Sequence, residues 1–269
     1  MSYKDVGSRR LNLQAALGSI LRAMLGLWLG AAGALLVCTA AWLVPVFVVL
    51  TGWTGPVWAF AAGLTTLVAV GGLTRLSVTE DVRAARALGL GPAGLQFGWP
   101  EVRLVGSALF CLIFLAMIVI VLALLVLAIF GTAGLDVAAI QAGDWDRVGS
   151  PWKLGLLAVP GAAALLIPLL LVVRLSLFVP ATLGRNQMVS LNSMGIAYGS
   201  FWPLLAGLII TALPMAGLLA VVRTAGLAVP VSPVILVVGL VWLQLPLTFA
   251  LLGTAYRQLE YWTPAEAAR

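Results

Sequence analysis

The sequence predicts an all-α fold: a polytopic transmembrane helical bundle of about six spans with both termini in the cytoplasm. Three observations predict it. Of 269 residues, 62% are hydrophobic and only 9% are charged, whereas an average soluble domain is about a quarter charged. The mean hydropathy is +1.13, more apolar surface than a water-soluble globule or a disordered chain can carry. Charge-free runs long enough to cross a bilayer, about 20 residues, recur along the chain, and the Lys and Arg residues cluster at alternate ends of them.

The spans follow in order. Ala23 to Thr74 carries no charge. It is too long for one helix, and the turn cluster Thr51-Gly52-Trp53-Thr54-Gly55-Pro56 splits it into helix one, about 22–50, and helix two, about 57–76. Leu104 to Leu135 holds helix three, ending near Phe130-Gly131. Leu154 to Val173, extended past Arg174 to Pro180, forms helix four. Helix five lies at about 201–222 and helix six at about 231–256. Trp99-Pro100-Glu101 places a proline and an acid in a first turn, where both suit a helix N-terminus. Ser150-Pro151 opens helix four with a cap and a first-position proline, and Ser200 is placed to cap helix five.

Around this core of 22–256 the sequence predicts an N-terminal cytoplasmic segment, 1–21, and a C-terminal tail, 257–269. The segment Leu11 to Arg22 is weakly amphipathic and reads as a short helix on the inner membrane surface. The first apolar run is too long for a cleaved signal and reads as a retained anchor. Between helices two and three, Ser77-Val78-Thr79-Glu80 fits a capping box. A surface helix of about 78–88 follows it, with Glu80 and Arg83 as an i,i+3 pair. A Gly/Pro-rich turn, 89–94, comes next, and 186–197 suits a similar surface helix.

Orientation follows from charge. Six spans place Lys4, Arg9, Arg10, Arg22, Arg75, Arg83, Arg86, Arg103, Arg174, Arg185, Arg257 and Arg269 on one side, and Arg147, Lys153 and Arg223 on the other. The net charge of +6 falls wholly on the first side, because acids and bases balance on the second. That side is expected to be cytoplasmic, and the basic balance then needs no nucleic acid to explain it. Trp53, Trp58, Trp145 and Trp152 mark the outer boundary and Trp99, Trp202 and Trp262 the inner one. Trp28, Trp42 and Trp242 fall deeper and read as packing residues.

The residues that are missing exclude chemistry. There is no His, so no imidazole base and no His-based metal site. Cys38 and Cys111 are far apart, lack CxxC spacing and read as small buried hydrophobes. The spans hold no carboxylate pair or nucleophile–base pair, and no phosphate-loop or hydrolase motif occurs. Catalytic residues, metals and cofactors are therefore not expected. Asp136, Asp144 and Asp146 read as solvated loop acids.

Four residues stand out. Arg75-Leu76-Ser77-Val78 closes helix two and Arg174-Leu175-Ser176-Leu177 sits near the end of helix four. Each precedes an aromatic-Gly pair, Phe97-Gly98 and Tyr198-Gly199. Helices two-three and four-five thus resemble two copies of one hairpin. In that case Arg75 and Arg174 sit symmetrically at the inner headgroup level, either as phosphate clamps or as snorkelling anchors. Gly26-x-x-x-Gly30 is a small-residue pair that permits close helix contact, within the bundle or between subunits. Pro45, Pro160, Pro168, Pro214, Pro230, Pro233 and Pro246 kink the spans and free backbone carbonyls.

The segments Arg174-Leu175-Ser176-Leu177-Phe178-Val179-Pro180, Ser193 to Trp202 and Ala255-Tyr256-Arg257-Gln258-Leu259 resemble a broad group of bacterial inner-membrane proteins. The group includes the membrane domain fused to glycerophosphoryl diester phosphodiesterases and related stand-alone six-helix proteins; Phe97 to Arg103 is similar to a segment of the stand-alone kind. The chain has no room for the phosphodiesterase barrel. The resemblance therefore implies a membrane module without hydrolase activity, working near lipid metabolism. Two functions are expected from the whole: a non-enzymatic accessory, assembly or lipid-contacting subunit, with phospholipids and other membrane subunits as partners, or a passive transporter or pore. The second needs a polar path, and few polar residues (Thr65, Thr66, Ser107, Thr211, Gln244, Thr248 and Thr254 among them) are available to make one.

Overall fold

A computed structural model describes residues 10–79, 81–226 and 230–260. Among the described residues the chain is all helix and turn, with six helical stretches long and apolar enough to cross a membrane. Glu80 of the expected capping box, Trp262 of the inner boundary, and Lys4, Asp5, Arg9, Glu266 and Arg269 of the charge count lie outside the described residues.

Helix α1 runs unbroken from Leu13 to Phe47. Its 35 residues make it about 52 Å long, well beyond the roughly 30 Å hydrocarbon core. The surface helix expected over 11–22 is therefore no separate element. Asn12 caps α1 by accepting from the Ala15 N–H at 3.1 Å. No Gly or Pro interrupts the chain between Ser19 and Leu25, so nothing ends the helix at Arg22. Helix α2 spans Thr54–Val78. Ser77 lies within it and donates to the Thr74 carbonyl, so Ser77 is not the N-cap of the short helix α3, Val82–Ala87. After α3 the chain makes a 3-10 turn at Pro92–Gly94.

Helix α4 covers Trp99–Thr132 and starts five residues before the charge-free run from Leu104 does. Glu101 reaches back from its first turn to accept the Gly98 N–H at 2.9 Å, satisfying a donor that the helix leaves open. Two short helices, α5 at Val137–Ala142 and α6 at Trp145–Val148, precede α7, Pro151–Leu175. The chain then breaks at Ser176-Leu177 and resumes as α8, Phe178–Gly184. Helix α9, Ser193–Ile196, is all that forms of the surface helix expected over 186–197. Helix α10 spans Phe201–Thr224. Ser200 precedes it, but its hydroxyl accepts from the Leu11 N–H instead of capping α10.

The last span is α11, Val231–Gly239, a π-helical turn over Leu240–Gln244, and α12, Leu245–Leu259. Pro246 explains the π turn: it has no N–H, and its ring crowds the carbonyl four residues back, that of Trp242. That carbonyl accepts the Trp28 indole N–H at 2.8 Å. Pro45 in α1 likewise leaves the Ala41 carbonyl open, and the Trp58 indole N–H donates to it at 2.8 Å. In both places a carbonyl freed by proline within a span is closed by tryptophan from another helix, as an environment without water demands. Trp42 donates to Thr66 Oγ1 and Trp242 to Thr39 Oγ1, each at 2.9 Å. The three deep tryptophans are thus packing residues with satisfied N–H groups, whereas Trp53, Trp99, Trp152 and Trp202 are exposed.

Helices α1, α2 and α12 form the centre, and small residues set their spacing. A Cβ on Gly253 of α12 would lie 2.3 Å from Ser77 Oγ and 2.6 Å from the Ser77 carbonyl carbon. One on Gly33 of α1 would lie 2.8 Å from Ala93 Cβ and 3.0 Å from the Ala93 carbonyl oxygen. Ala16, Ala31, Ala34, Ala69, Ala250 and Ala255 are buried in the same core. Close approach of this kind is what holds helices together in lipid, where apolar burial adds little. Helices α4 and α7 pack together outside the centre. Leu109, Leu112, Ile113 and Ile120 of α4 are all more than half exposed, as a lipid-facing helix requires.

One end of the bundle gathers the starts of α1, α4 and α10 and the ends of α2, α7 and α12. The Asn12 N–H donates to Gln258 Oε1, Leu11 reaches Ser200, and Arg185 pairs with Glu260. This basic end carries Arg22, Arg75, Arg83, Arg86, Arg103, Arg174, Arg185 and Arg257, while Arg147, Lys153 and Arg223 lie at the other.

Candidate functional site

The arginines of the basic end have different environments. Arg75, in the last turn of α2, is 1% exposed. Its Nη1 lies 2.5 Å from Glu101 Oε1, and its Nε donates to the Leu88 carbonyl at 2.9 Å. Glu101 is also 1% exposed and binds the Gly98 N–H with its second oxygen. Gly71 makes room for the pair, since a Cβ there would sit 2.9 Å from Glu101 Oε1 and 3.1 Å from Arg75 Nη1. This corrects the expectation for Arg75. It is neither a phosphate clamp nor a snorkelling anchor but one half of an internal ion pair that ties the end of α2 to the start of α4. A buried guanidinium and carboxylate compensate one another only when both are present and hydrogen bonded, and here both are.

Arg174 ends α7 at the position corresponding to Arg75, but among the described residues it has no acid. In the second hairpin the Trp-Pro pair of Trp99-Pro100 recurs as Trp202-Pro203, and the residue after it is Leu204 where the first has Glu101. Leu204 is fully buried. The Arg174 guanidinium instead lies over the Tyr198 ring, 5.9 Å from its centroid, and its buried Nε has no hydrogen-bond partner among the described residues. Tyr198 is exposed, as is Trp202 in the first turn of α10, where Phe201 and Trp202 meet edge to face at 5.0 Å. The arrangement is a partly exposed cation against one aromatic ring, with a buried Nε–H that no described residue accepts, at the level where such rings meet lipid headgroups.

Two further arginines are closed within the chain. Arg185 forms a two-pronged pair with Glu260, Nη2 to Oε1 at 2.7 Å and Nε to Oε2 at 3.0 Å. Arg103 donates to the backbone and side-chain oxygens of Asn186.

Gly26 and Gly30 also part. A Cβ on Gly30 would lie 2.7 Å from Leu76 Cδ1, so Gly30 does pack against α2. Gly26 has nothing within 4 Å of that position. It is a wall of a cavity of about 480 Å³ between α1, the end of α2 and the end of α12, which Arg22, Asp81 and Arg257 also line. The small-residue pair is thus one packing glycine and one cavity glycine.

No group of three or more metal-ligating side chains occurs among the described residues. The polar residues of the spans are mostly engaged locally. Thr65 and Thr66 donate to the Ala62 carbonyl and Thr211 to that of Leu208. Gln244 donates to Thr248, and its Oε1 is buried without a partner.

The fold and these sites define an all-α, multi-pass membrane protein. No family model, curated protein or solved structure matches the chain.

Proposed function

We propose that this chain is a non-enzymatic integral protein of the bacterial inner membrane, with both termini cytoplasmic, that acts as a lipid-contacting accessory or assembly subunit. One observation carries the reading: the partly exposed Arg174 guanidinium, which lies over the exposed Tyr198 ring and whose buried Nε–H meets no acceptor among the described residues. An arginine with an open donor at the membrane interface suits the phosphate of an anionic phospholipid, which accepts two N–H bonds at once. The uneven split of basic residues supports a cytoplasmic basic end. The likeness to the membrane domain fused to glycerophosphoryl diester phosphodiesterases fits a module working near lipid metabolism. Passive transport is the weaker reading, because the hydroxyls of Thr65, Thr66 and Thr211 in the spans donate to carbonyls of their own helices.

The test is native mass spectrometry of the purified protein carrying phosphatidylglycerol. We expect Arg174→Gln to lower retention of that lipid by about tenfold, the loss of one charge-assisted bidentate contact, and Arg223→Gln to leave it unchanged. Equal retention in the wild type and Arg174→Gln overturns the reading.

A further inference from the structure

The cavity behind Gly26 carries charges of both signs. Arg22 enters it from α1, Arg257 from α12, and Asp81 from the turn after α2. Among the described residues neither the Arg22 guanidinium nor the Asp81 carboxylate has an ion-pair or hydrogen-bond partner. The two therefore face one cavity without neutralising each other. Hydroxyls line it as well: Ser19 and Thr254 lie 3.3 Å apart on its wall. At about 480 Å³ it falls in the size range of small-ligand sites, roughly 300–1,000 Å³. It lies at the basic end of the bundle. One and two turns along α1 from Arg22, Leu25 and Leu29 are 64% and 71% exposed, an apolar surface on which an alkyl chain can lie.

We propose that this cavity binds the headgroup of an aminophospholipid. Its phosphodiester sits between the guanidinium groups of Arg22 and Arg257, and its ammonium sits against Asp81. An acid among the arginines is unfavourable to a purely anionic ligand and favourable to a zwitterion, so a phosphate that also carries an amine fits best. The exposed leucines favour the lipid over its free headgroup. The site shares no residue with the Arg174 contact.

The experiment compares three ligands on the detergent-purified full chain: phosphatidylethanolamine, phosphatidylglycerol and soluble phosphoethanolamine. We expect wild type to retain phosphatidylethanolamine over phosphatidylglycerol by about fivefold, the upper end for a partly exposed charge pair, and soluble phosphoethanolamine not to displace the lipid. Asp81→Asn removes that preference. Gly26→Leu, whose side chain projects into open space, lowers phosphatidylethanolamine retention by about tenfold or more. Arg22→Gln, at an exposed position that the fold does not need, lowers retention of both lipids. Equal retention of the two lipids by wild type overturns the proposal, as does a folded Gly26→Leu protein that still holds phosphatidylethanolamine. Displacement by phosphoethanolamine overturns the lipid assignment in favour of a soluble amine phosphate. If only Arg174→Gln matters, this inference fails and the Arg174 contact stands.

Discussion

The pairing of prolines with tryptophans makes a sharp energetic prediction. Pro45 leaves the Ala41 carbonyl without its helical donor, and Trp58 supplies a substitute at 2.8 Å. Trp58→Phe removes the N–H but keeps most of the ring that packs edge-on against Trp42, 5.7 Å away. The freed carbonyl then has no donor in a region without water. An unsatisfied buried acceptor costs about 1–3 kcal/mol, while measured hydrogen bonds between membrane helices average about 0.6 and reach about 1.7 kcal/mol. We expect about 1 kcal/mol lost in the wild-type background. Pro45→Ala restores a backbone N–H to the same carbonyl. In that background Trp58→Phe is expected to cost only the small loss of ring contact, a term common to both backgrounds that cancels in the double-mutant cycle. The assay is reversible unfolding in detergent micelles, with four proteins compared. A coupling energy of zero, with Trp58→Phe costing the same with and without Pro45, refutes the reasoning.

Two other outcomes follow from the charges. Glu101→Ala leaves the Arg75 guanidinium buried and unpaired, and we expect it to destabilise the protein by about 3 kcal/mol or more. Arg75→Met together with Glu101→Leu costs less than Glu101→Ala alone; detergent unfolding checks both, and a double variant less stable than the single one contradicts the pair as described. Cys38 and Cys111 are buried, so a cysteine introduced as Arg83→Cys is the main target for a membrane-impermeant thiol reagent. Labelling is expected only when the cytoplasmic face is opened, and labelling from outside intact cells inverts the proposed orientation.

The spans were legible in the sequence because charge is scarce: any run without Lys, Arg, Asp or Glu is already a strong constraint in lipid. Their ends were less so. Arg22 marks the end of the charge-free run, yet an arginine is tolerated inside a helix long enough to extend past the hydrocarbon core, and only a breaker would stop α1 there. Ser77 to Glu80 had the right residue types for a capping box, but Ser77 had already been taken up by α2. The Gly26–Gly30 pair shows the same ambiguity: spacing identifies small residues on one face, not what stands opposite. Gly253, with no motif around it, makes a closer approach, and Gly33 comes against backbone where Gly30 meets only the Leu76 side chain.

Glu101 was visible as an acid favourable to its helix start, and its tie to Arg75 was not, because the two lie 26 residues apart. The signal that was available is topological. Consecutive spans joined by a loop bring the last turn of one near the first turn of the next, so an arginine ending α2 and a lone acid opening α4 are placed to meet. Applied to the second hairpin, the same reasoning finds Arg174 ending α7 and no acid opening α10. The likeness of the two hairpins makes Arg75 and Arg174 look equivalent, and their chemistry separates at one position, Glu101 against Leu204. At the same end, Arg185 and Arg103 are also closed by acceptors from the chain. Net charge alone does not choose among these arginines, since all four stand on the basic end. What chooses is whether the chain itself supplies the acceptor, and among the described residues it supplies none to the Arg174 Nε–H.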